Sequence, residues 1–346
     1  MTEPDRLALE VAARIRDAVI PRLGTAHARE RVARAPGGDA TLAIDEVAER
    51  VLEDVLAAEG DIGFYSEDRG LVTYGRPRAL LVVDPIDGTR PAAAGLESAC
   101  VSVAVVPPSE DARLGDVSFG VVHELKSGQR FWASRGGGPR AEGASGEPVE
   151  LRRSANTDLT ALFWTAGLRG RPLLPTSVVL EELVDGSSMG GGYFDLGSAA
   201  FNMTRIVTGQ LDAYVDVGRR IVDECPETEP AFLAVGEGSV CTNFPYDVAA
   251  ATLIVQEAGG LVTHADGRSL DGHPVVARRG RTGWPSWPRR APSCTARSWP
   301  RSTVGCIGCG TGWGRSPAPD PRPETRRRGG EEAPTNTDGR VRLVLH

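Results

Sequence analysis

The apolar positions of the first sixty residues recur at helical spacing. From Ile44 onward they stand at positions 44, 47, 48, 51, 52, 55 and 56, which is the pattern of an amphipathic helix with one buried face. Residues 5–20 show a similar period and predict an earlier helix. We expect Asp39 or Thr41 to cap the helix that begins near Ile44, because such side chains accept hydrogen bonds from first-turn amides.

From residue 79 the pattern becomes that of strands. ALLVV at 79–83 is a continuous apolar run that suits a buried strand, and CVSVAVV at 100–106, FGVVHE and QRFWAS resemble successive antiparallel strands. Helices are further predicted at 198–208 and 247–260, and strands at 211–217 and 261–264. The order of elements predicts an α/β fold of mixed topology without internal repeats.

Composition places the chain among soluble globular proteins. Its 346 residues are enough for one large domain or two fused ones. No apolar stretch approaches the roughly 20 residues of a membrane span, and the N-terminus lacks the apolar core of a signal peptide. The six cysteines are scattered and are expected to be reduced. We therefore expect a cytoplasmic protein with no membrane partner.

Charge divides the chain in two. Residues 277–346 hold 14 arginines against 5 acidic residues, a surplus of 9, so a net charge of -7 leaves about -16 for the first 276 residues. Prolines and glycines interrupt this tail, and its apolar residues follow neither a helical nor a strand period. The tail does not read as a packed domain.

Candidate chemistry begins with the sequence DPIDGT that follows ALLVV. Asp84 and Asp87 lie three residues apart at a strand end, where two ionised carboxylates stay close only if a cation shares them. Oxygen ligands favour Mg²⁺, Mn²⁺ or Ca²⁺ over zinc, and the Gly-Thr pair that follows can offer amides to an anion. The alternative is a plain Asx turn without a metal.

Five ordered segments resemble the inositol monophosphatase superfamily over residues 5–276. They are GDATLAIDEVAE at 38–49, FYSEDRG at 64–70, VVDPIDGT at 82–89, LGSAAFNMTRIVTGQLDAYVD at 196–216 and YDVAAATLIVQEAGGLV at 246–262. The resemblance implies a layered α-β-α-β-α sandwich of the inositol monophosphatase and fructose bisphosphatase type. It implies an N-terminal portion (1–150) with most metal ligands, a C-terminal portion (151–277) and an unmatched tail (278–346).

The resemblance also implies a site. Two or three Mg²⁺ ions would be held by the carboxylates of Glu67, Asp84, Asp87 and Asp247 and by the Ile86 carbonyl, with Asp68 supporting them from outside. The catalytic group would be Thr89, backed by Asp45, together with Glu67. The amides of Gly88 and Thr89 would hold the phosphate, and Ala199 and Asp216 would contact the alcohol portion of the substrate.

Several of these residues also have structural interpretations. Asp45 could be a polar residue on the exposed side of its helix, and Glu67 with Asp68 a solvated loop. Asp247 could serve only as an N-cap, although capping and metal ligation are compatible.

The leading function is Mg²⁺-dependent hydrolysis of a small sugar or cyclitol phosphate by a homodimer, as the resemblance implies. RPAAAGLES after DPIDGT and the long segment 219–245 depart from the family, so substrate choice stays open. Alternatives on the same fold are a fructose-1,6-bisphosphatase, a 3'(2'),5'-bisphosphate nucleotidase and a histidinol phosphatase. Rivals of other classes are a non-catalytic regulator that binds a phosphorylated metabolite and a nucleic-acid binder acting through the basic tail. Intact ligands disfavour the first, and we expect no nucleic-acid partner.

The tail has a separate interpretation. One lysine against 38 arginines indicates a GC-rich gene, and a one-nucleotide shift of GC-rich codons after Arg279 gives an apolar strand followed by a leucine-rich helix. The family ends with such a strand and helix. We therefore predict that the tail is a frameshifted translation of the normal C-terminus, which resequencing codons 278–284 would test.

Overall fold

The computed structural model describes residues 1–35, 38, 40–276 and the backbone of 342–344. Within these residues the α-helices are Glu3–Val19 (α1), Ala43–Glu59 (α2), Thr89–Ala94 (α3), Leu173–Ser187 (α4), Ala199–Val207 (α5), Gly218–Glu224 (α6), Glu229–Val235 (α7) and Pro245–Glu257 (α8). The strands are Arg31–Arg34 (β1), Ala40–Leu42 (β2), Gly63–Ser66 (β3), Gly70–Thr73 (β4), Leu80–Asp87 (β5), Cys100–Val106 (β6), Phe119–Glu124 (β7), Arg130–Ser134 (β8), Pro139–Glu142 (β9), Phe163–Ala166 (β10), Gly192–Phe194 (β11), Ala213–Val215 (β12), Leu261–Thr263 (β13) and Arg342–Val344 (β14).

The larger sheet is built around β5 and β6. Its strand order is β4-β3-β5-β6-β7-β8-β9, antiparallel except for the parallel pair of β3 and β5. Along β6, Val101, Val103 and Val105 join the core on one face, while Ala104 and Val106 join the core on the other. Because both faces are covered, the strand reads in the sequence as an almost continuous apolar run.

Helices α1 and α2 cover one face of this sheet with the apolar stripes that their periods predict. The prediction that Thr41 caps α2 is wrong, since the N-cap residue is Leu42. The Leu42 amide donates a hydrogen bond to Asp45 Oδ2 at 2.8 Å. The Thr41 hydroxyl instead donates to Asp68 Oδ1 at 2.6 Å. Asp39, the other predicted cap, lies outside the described residues.

The second sheet and five further helices complete the layers. Strands in the order β11-β10-β12-β14-β13 run parallel, with α5 and α8 between this sheet and the larger one. A third core, which includes Trp164, Leu180, Ile221 and Phe232, lies between the second sheet and the elements α4, α6 and α7. The layers are therefore α-β-α-β-α, which confirms the predicted sandwich.

The two sheets occupy different parts of the chain. The larger sheet lies within residues 63–142 and the second begins at residue 163, although α5 and α8 join both. The predicted division near residue 150 stays a prediction. Among the described helices, none combines the length and apolar character needed to cross a bilayer.

Strand β14 comes from the end of the chain. Its Leu343 lies opposite Val262 of β13, and its Val344 pairs with Val215 of β12. The last residues of the chain therefore separate β12 from β13. The predicted tail otherwise lies outside the described residues.

Candidate active site

The site begins where β5 ends. The strand continues through the motif as far as Asp87, with an irregularity in its pairing with β6 between Asp84 and Asp87. Asp84 Oδ1 accepts a hydrogen bond from the Ile86 amide at 3.0 Å, so the Asx turn that was one interpretation of the motif is present. Gly88 then adopts a φ of 91°, and a Cβ there would lie 2.6 Å from the Ser98 carbonyl oxygen. Only glycine fits this turn into α3.

Three acidic side chains meet at this point. Carboxylate oxygens of Asp84, Asp87 and Asp247 all lie within 4.8 Å of one another. Asp247 belongs to the first turn of α8, whose N-cap is Phe244, so the interpretation of Asp247 as the N-cap residue is wrong. Its carboxylate nevertheless accepts a hydrogen bond from the Phe244 amide. The first turn of α8 therefore fixes the Asp247 side chain and places it at the end of β5.

Burial makes this cluster electrostatically costly without a cation. Burial, followed by the charges of Asp87, Glu67 and Asp247, raises the pKa of Asp84 well above its usual value. Burial likewise raises the pKa of Asp87 to about 6, against the opposing effect of the amide and hydroxyl hydrogen bonds it accepts. The pKa of Asp247 is raised by burial and by the Asp87 charge. Clustered oxygen ligands of this kind fit a hard divalent cation.

Helix α5 supports Asp87 from the opposite side. Ser198, its N-cap, donates from Oγ to Asp87 Oδ2 at 2.8 Å, and the Ala199 amide donates to Asp87 Oδ1 at 3.2 Å. The Ala200 amide is a third donor to the same carboxylate. The structure thus places Ala199, a predicted substrate contact, beside a predicted metal ligand. The positive end of the helix dipole favours an ionised Asp87.

The predicted catalytic pair lies on neighbouring helices. Thr89 begins α3, and its hydroxyl donates to the Ile86 carbonyl oxygen at 3.2 Å. Asp45 lies in the first turn of α2, which packs against α3. The Ile86 carbonyl, a predicted metal ligand, therefore accepts a hydrogen bond from the predicted catalytic hydroxyl.

Glu67 lies on the turn after β3 and lines the same cleft as Asp87 and Asp247. Its neighbour Asp68 is held by the Thr41 hydroxyl. The structure therefore brings Glu67 together with the aspartate cluster. Asp68 is hydrogen-bonded to Thr41 of β2, the strand that precedes α2.

Asp216 takes a different position from the other predicted residues. Its side chain has no exposed surface, and both its oxygens accept hydrogen bonds from the guanidinium of Arg171. The Gly218 amide also donates to Asp216 Oδ1 at 3.0 Å. Arg171 lines the cleft, while Asp216 lies behind it.

Two arginines of the cleft, Arg169 and Arg171, did not emerge from the sequence patterns. They lie in the loop after β10, and the charge of Arg169 lowers the pKa of both Asp87 and Asp247. The position of this loop could have indicated them, because ligands of α/β sheets bind beyond the carboxyl ends of parallel strands, and this loop follows such an end.

Fold and site together define a metal-dependent phosphoric monoester hydrolase. The model of the inositol monophosphatase family matches residues 2–296, and the chain belongs to that family. That match includes the first part of the tail, beyond the segments that carry the resemblance.

Individual relatives agree with this assignment. Over 277 residues the chain is 28% identical to the fructose-1,6-bisphosphatase/inositol-1-monophosphatase of Methanothermobacter thermautotrophicus, covering 77% of this chain and 86% of that protein. It is 27% identical over 241 residues to the Nus factor SuhB of Pasteurella multocida, covering 68% and 76%. The IMPase of Thermotoga maritima has the same fold, with a TM-score of 0.56 at 23% identity, covering 78% of this chain and 89% of that one.

Proposed function

We propose that the protein hydrolyses a small sugar or cyclitol phosphate with Mg²⁺. The observation that carries this proposal is the buried cluster of Asp84, Asp87 and Asp247, with Glu67 in the same cleft. These four carboxylates and the Ile86 carbonyl would hold two or three ions. When bound, Mg²⁺ balances negative charge on phosphoryl oxygens and makes water more acidic.

The chain's own residues would supply the remaining chemistry. We propose that the Thr89 hydroxyl accepts the proton of the attacking water while it passes its own proton to the Asp45 carboxylate, with Glu67 also part of the catalytic group. The amides of Gly88 and Thr89 would hold the phosphate, since the first amides of a helix have no partners within it. Asp68, linked to Thr41, would support this arrangement from outside.

Substrate recognition would come from α5 and the loop after β10. Ala199 is the proposed contact to the alcohol portion. Because the Asp216 carboxylate is held by Arg171, we propose that Asp216 acts on substrate hydroxyls through that guanidinium.

A second candidate is a sugar bisphosphate. Arg169 on the cleft wall adds positive charge that a second phosphate could use, and the Methanothermobacter relative is named as a bisphosphatase as well as a monophosphatase. A phosphate-release screen over inositol, sugar, nucleotide and histidinol phosphates with Mg²⁺ tests both candidates. Release from sugar or inositol monophosphates supports the first, and release confined to sugar bisphosphates supports the second. Binding without release from any member would instead favour a non-catalytic regulator that binds a phosphorylated metabolite.

We further propose a cytoplasmic homodimer, as the family resemblance implies. Sedimentation velocity of the purified full chain would test the dimer, for which a monomer-sized species at micromolar concentration is the contrary result.

A further inference from the structure

Helix α2 carries a buried glutamate that the proposed chemistry does not use. Glu49 is only 1% exposed, and it lies one turn after Asp45 on the same helix. Burying a carboxylate costs free energy unless hydrogen bonds compensate, so its partners indicate what it does.

Those partners lie on both sides of Glu67. Ser66 Oγ donates to Glu49 at 2.8 Å from Oε1 and 3.0 Å from Oε2. The Asp68 amide donates to Oε1 at 3.2 Å. One buried carboxylate therefore binds the residue before Glu67 and the residue after it.

From these contacts we propose that Glu49 is a positioning residue that fixes the turn 66–68 so that the Glu67 carboxylate faces the metal cluster. The inference rests on the proposed metal-binding role of Glu67. Two further contacts join the helix to this turn, from Arg69 to Glu46 and Glu53. They lie nearer the surface, where an ion pair contributes about 0–1 kcal/mol, so Glu49 is the main buried link.

The same helix also carries Asp45, the proposed partner of Thr89. Helix α2 would thus hold Glu67 and Asp45 in a fixed relation. Sites supported on regular elements keep their geometry better than sites supported on loops.

The test is Mg²⁺ binding by isothermal titration calorimetry on the full chain. Glu49→Ala removes both hydrogen bonds, and we expect Mg²⁺ affinity to fall by about 10–100-fold, the range for residues that orient metal ligands. Glu49→Gln keeps an amide oxygen for the same two donors, so its affinity should stay within about threefold of wild type. Asp54→Asn removes one charge from the exposed side of the same helix and is the matched control.

Wild-type affinity in a folded Glu49→Ala protein would overturn the inference. So would a loss in Glu49→Gln as large as in Glu49→Ala, because charge and not hydrogen bonding would then be the cause. If Glu49→Ala does not fold, Ser66→Ala removes one of the two donors, and an affinity unchanged within about threefold would also overturn the inference. Absence of Mg²⁺ binding by the wild type would instead overturn the proposed function itself.

Discussion

At the scale of single residues, the hydrogen bonds of each carboxylate decide how it can be tested. Asp87 accepts three hydrogen bonds, from the Ser198 hydroxyl and the Ala199 and Ala200 amides. An asparagine at this position would place its side-chain N–H groups against these donors. Asp84 uses one oxygen for the Ile86 amide and shares a second hydrogen bond with Asp247. An asparagine can reproduce both bonds of Asp84. Asp84 is therefore the position where charge can be removed with the least structural disturbance.

Asp84→Asn should abolish most Mg²⁺ binding and leave the fold intact. The amide oxygen still accepts from Ile86, and the amide nitrogen donates to Asp247, so only the ligand charge is lost. We expect calorimetry to show affinity reduced by more than about a hundredfold, beyond the range for residues outside the ligand set. Metal-free thermal midpoints should lie at or above those of the wild type, because the variant carries one fewer charge in the buried cluster. Wild-type affinity in this variant would remove Asp84 from the metal site.

Thr89 should prove to be a proton-transfer group and not only a turn residue. Thr89→Ala should lower turnover by at least about a hundredfold, the lower range for a positioned proton-transfer group, with Mg²⁺ affinity nearly unchanged. Thr89→Ser keeps the hydroxyl and should retain most of the turnover. Phosphate release under saturating Mg²⁺ distinguishes them. A fall of less than about threefold in Thr89→Ala would contradict the assignment.

The raised pKa values predict how Mg²⁺ stabilisation depends on pH. Without metal, the pKa of Asp87 at about 6 lies above its usual value of 3.8, and that of Asp247 is raised too, so the folded chain holds protons that the unfolded chain has lost. Each such proton lowers the free energy of unfolding by about 1.4 kcal/mol per pH unit as pH rises from about 4 through the folded pKa. Burial lowers the pKa of His123 from 6.5 to about 4. Between these two values the unfolded chain binds the extra proton, so His123 raises the free energy of unfolding as pH rises.

Comparing melts with and without Mg²⁺ cancels the His123 effect, which is present in both. The midpoint difference between saturating Mg²⁺ and chelator should therefore grow from pH 5 to pH 8. A difference that is constant or shrinks over this range would contradict a metal bound by these aspartates.

At the scale of elements, the sequence predicted what depends on local pattern. Strand β6 matches its predicted bounds, and β5 was predicted too short only because DPID lacks the apolar residues of ALLVV. Helices α6 and α7 in the long segment before Asp247 were not predicted, since neither exceeds 7 residues and such short helices show little periodicity. Strand β14 has three residues, and its position depends on pairing with β12 and β13 far earlier in the chain.

Removing residues 341–346 should destabilise the second sheet. Strand β14 pairs on both sides, so its loss would leave the facing edges of β12 and β13 without their partner. We expect the thermal midpoint to fall by at least about 3 °C, corresponding to roughly 1 kcal/mol in a chain of this size. Leu343→Pro, which removes one strand amide, should lower it in the same direction. Unchanged midpoints for both would mean that β14 contributes nothing to the sheet.

At the scale of the whole molecule, the site joins segments from Asp45 to Asp247, which lie on both sides of the central helices. The proposed acidic ligands were predicted from motifs because their residue types and order are distinctive, and the structure brings Asp84, Asp87 and Asp247 together. The contributions of Glu49, Arg169 and Arg171 were not, because each depends on contacts between distant segments that leave no local pattern. The frameshifted origin of the tail stays a prediction.

The central claim is that this acidic site directs water to the phosphorus of a phosphate ester when Mg²⁺ is bound. The most direct measurement is hydrolysis in ¹⁸O-labelled water of the best ester found by the phosphate-release screen. With Mg²⁺, we predict that one ¹⁸O atom enters the released phosphate and none enters the alcohol, and that chelator stops the release. Label in the alcohol, or phosphate release that continues at the same rate without any divalent cation, would contradict the account.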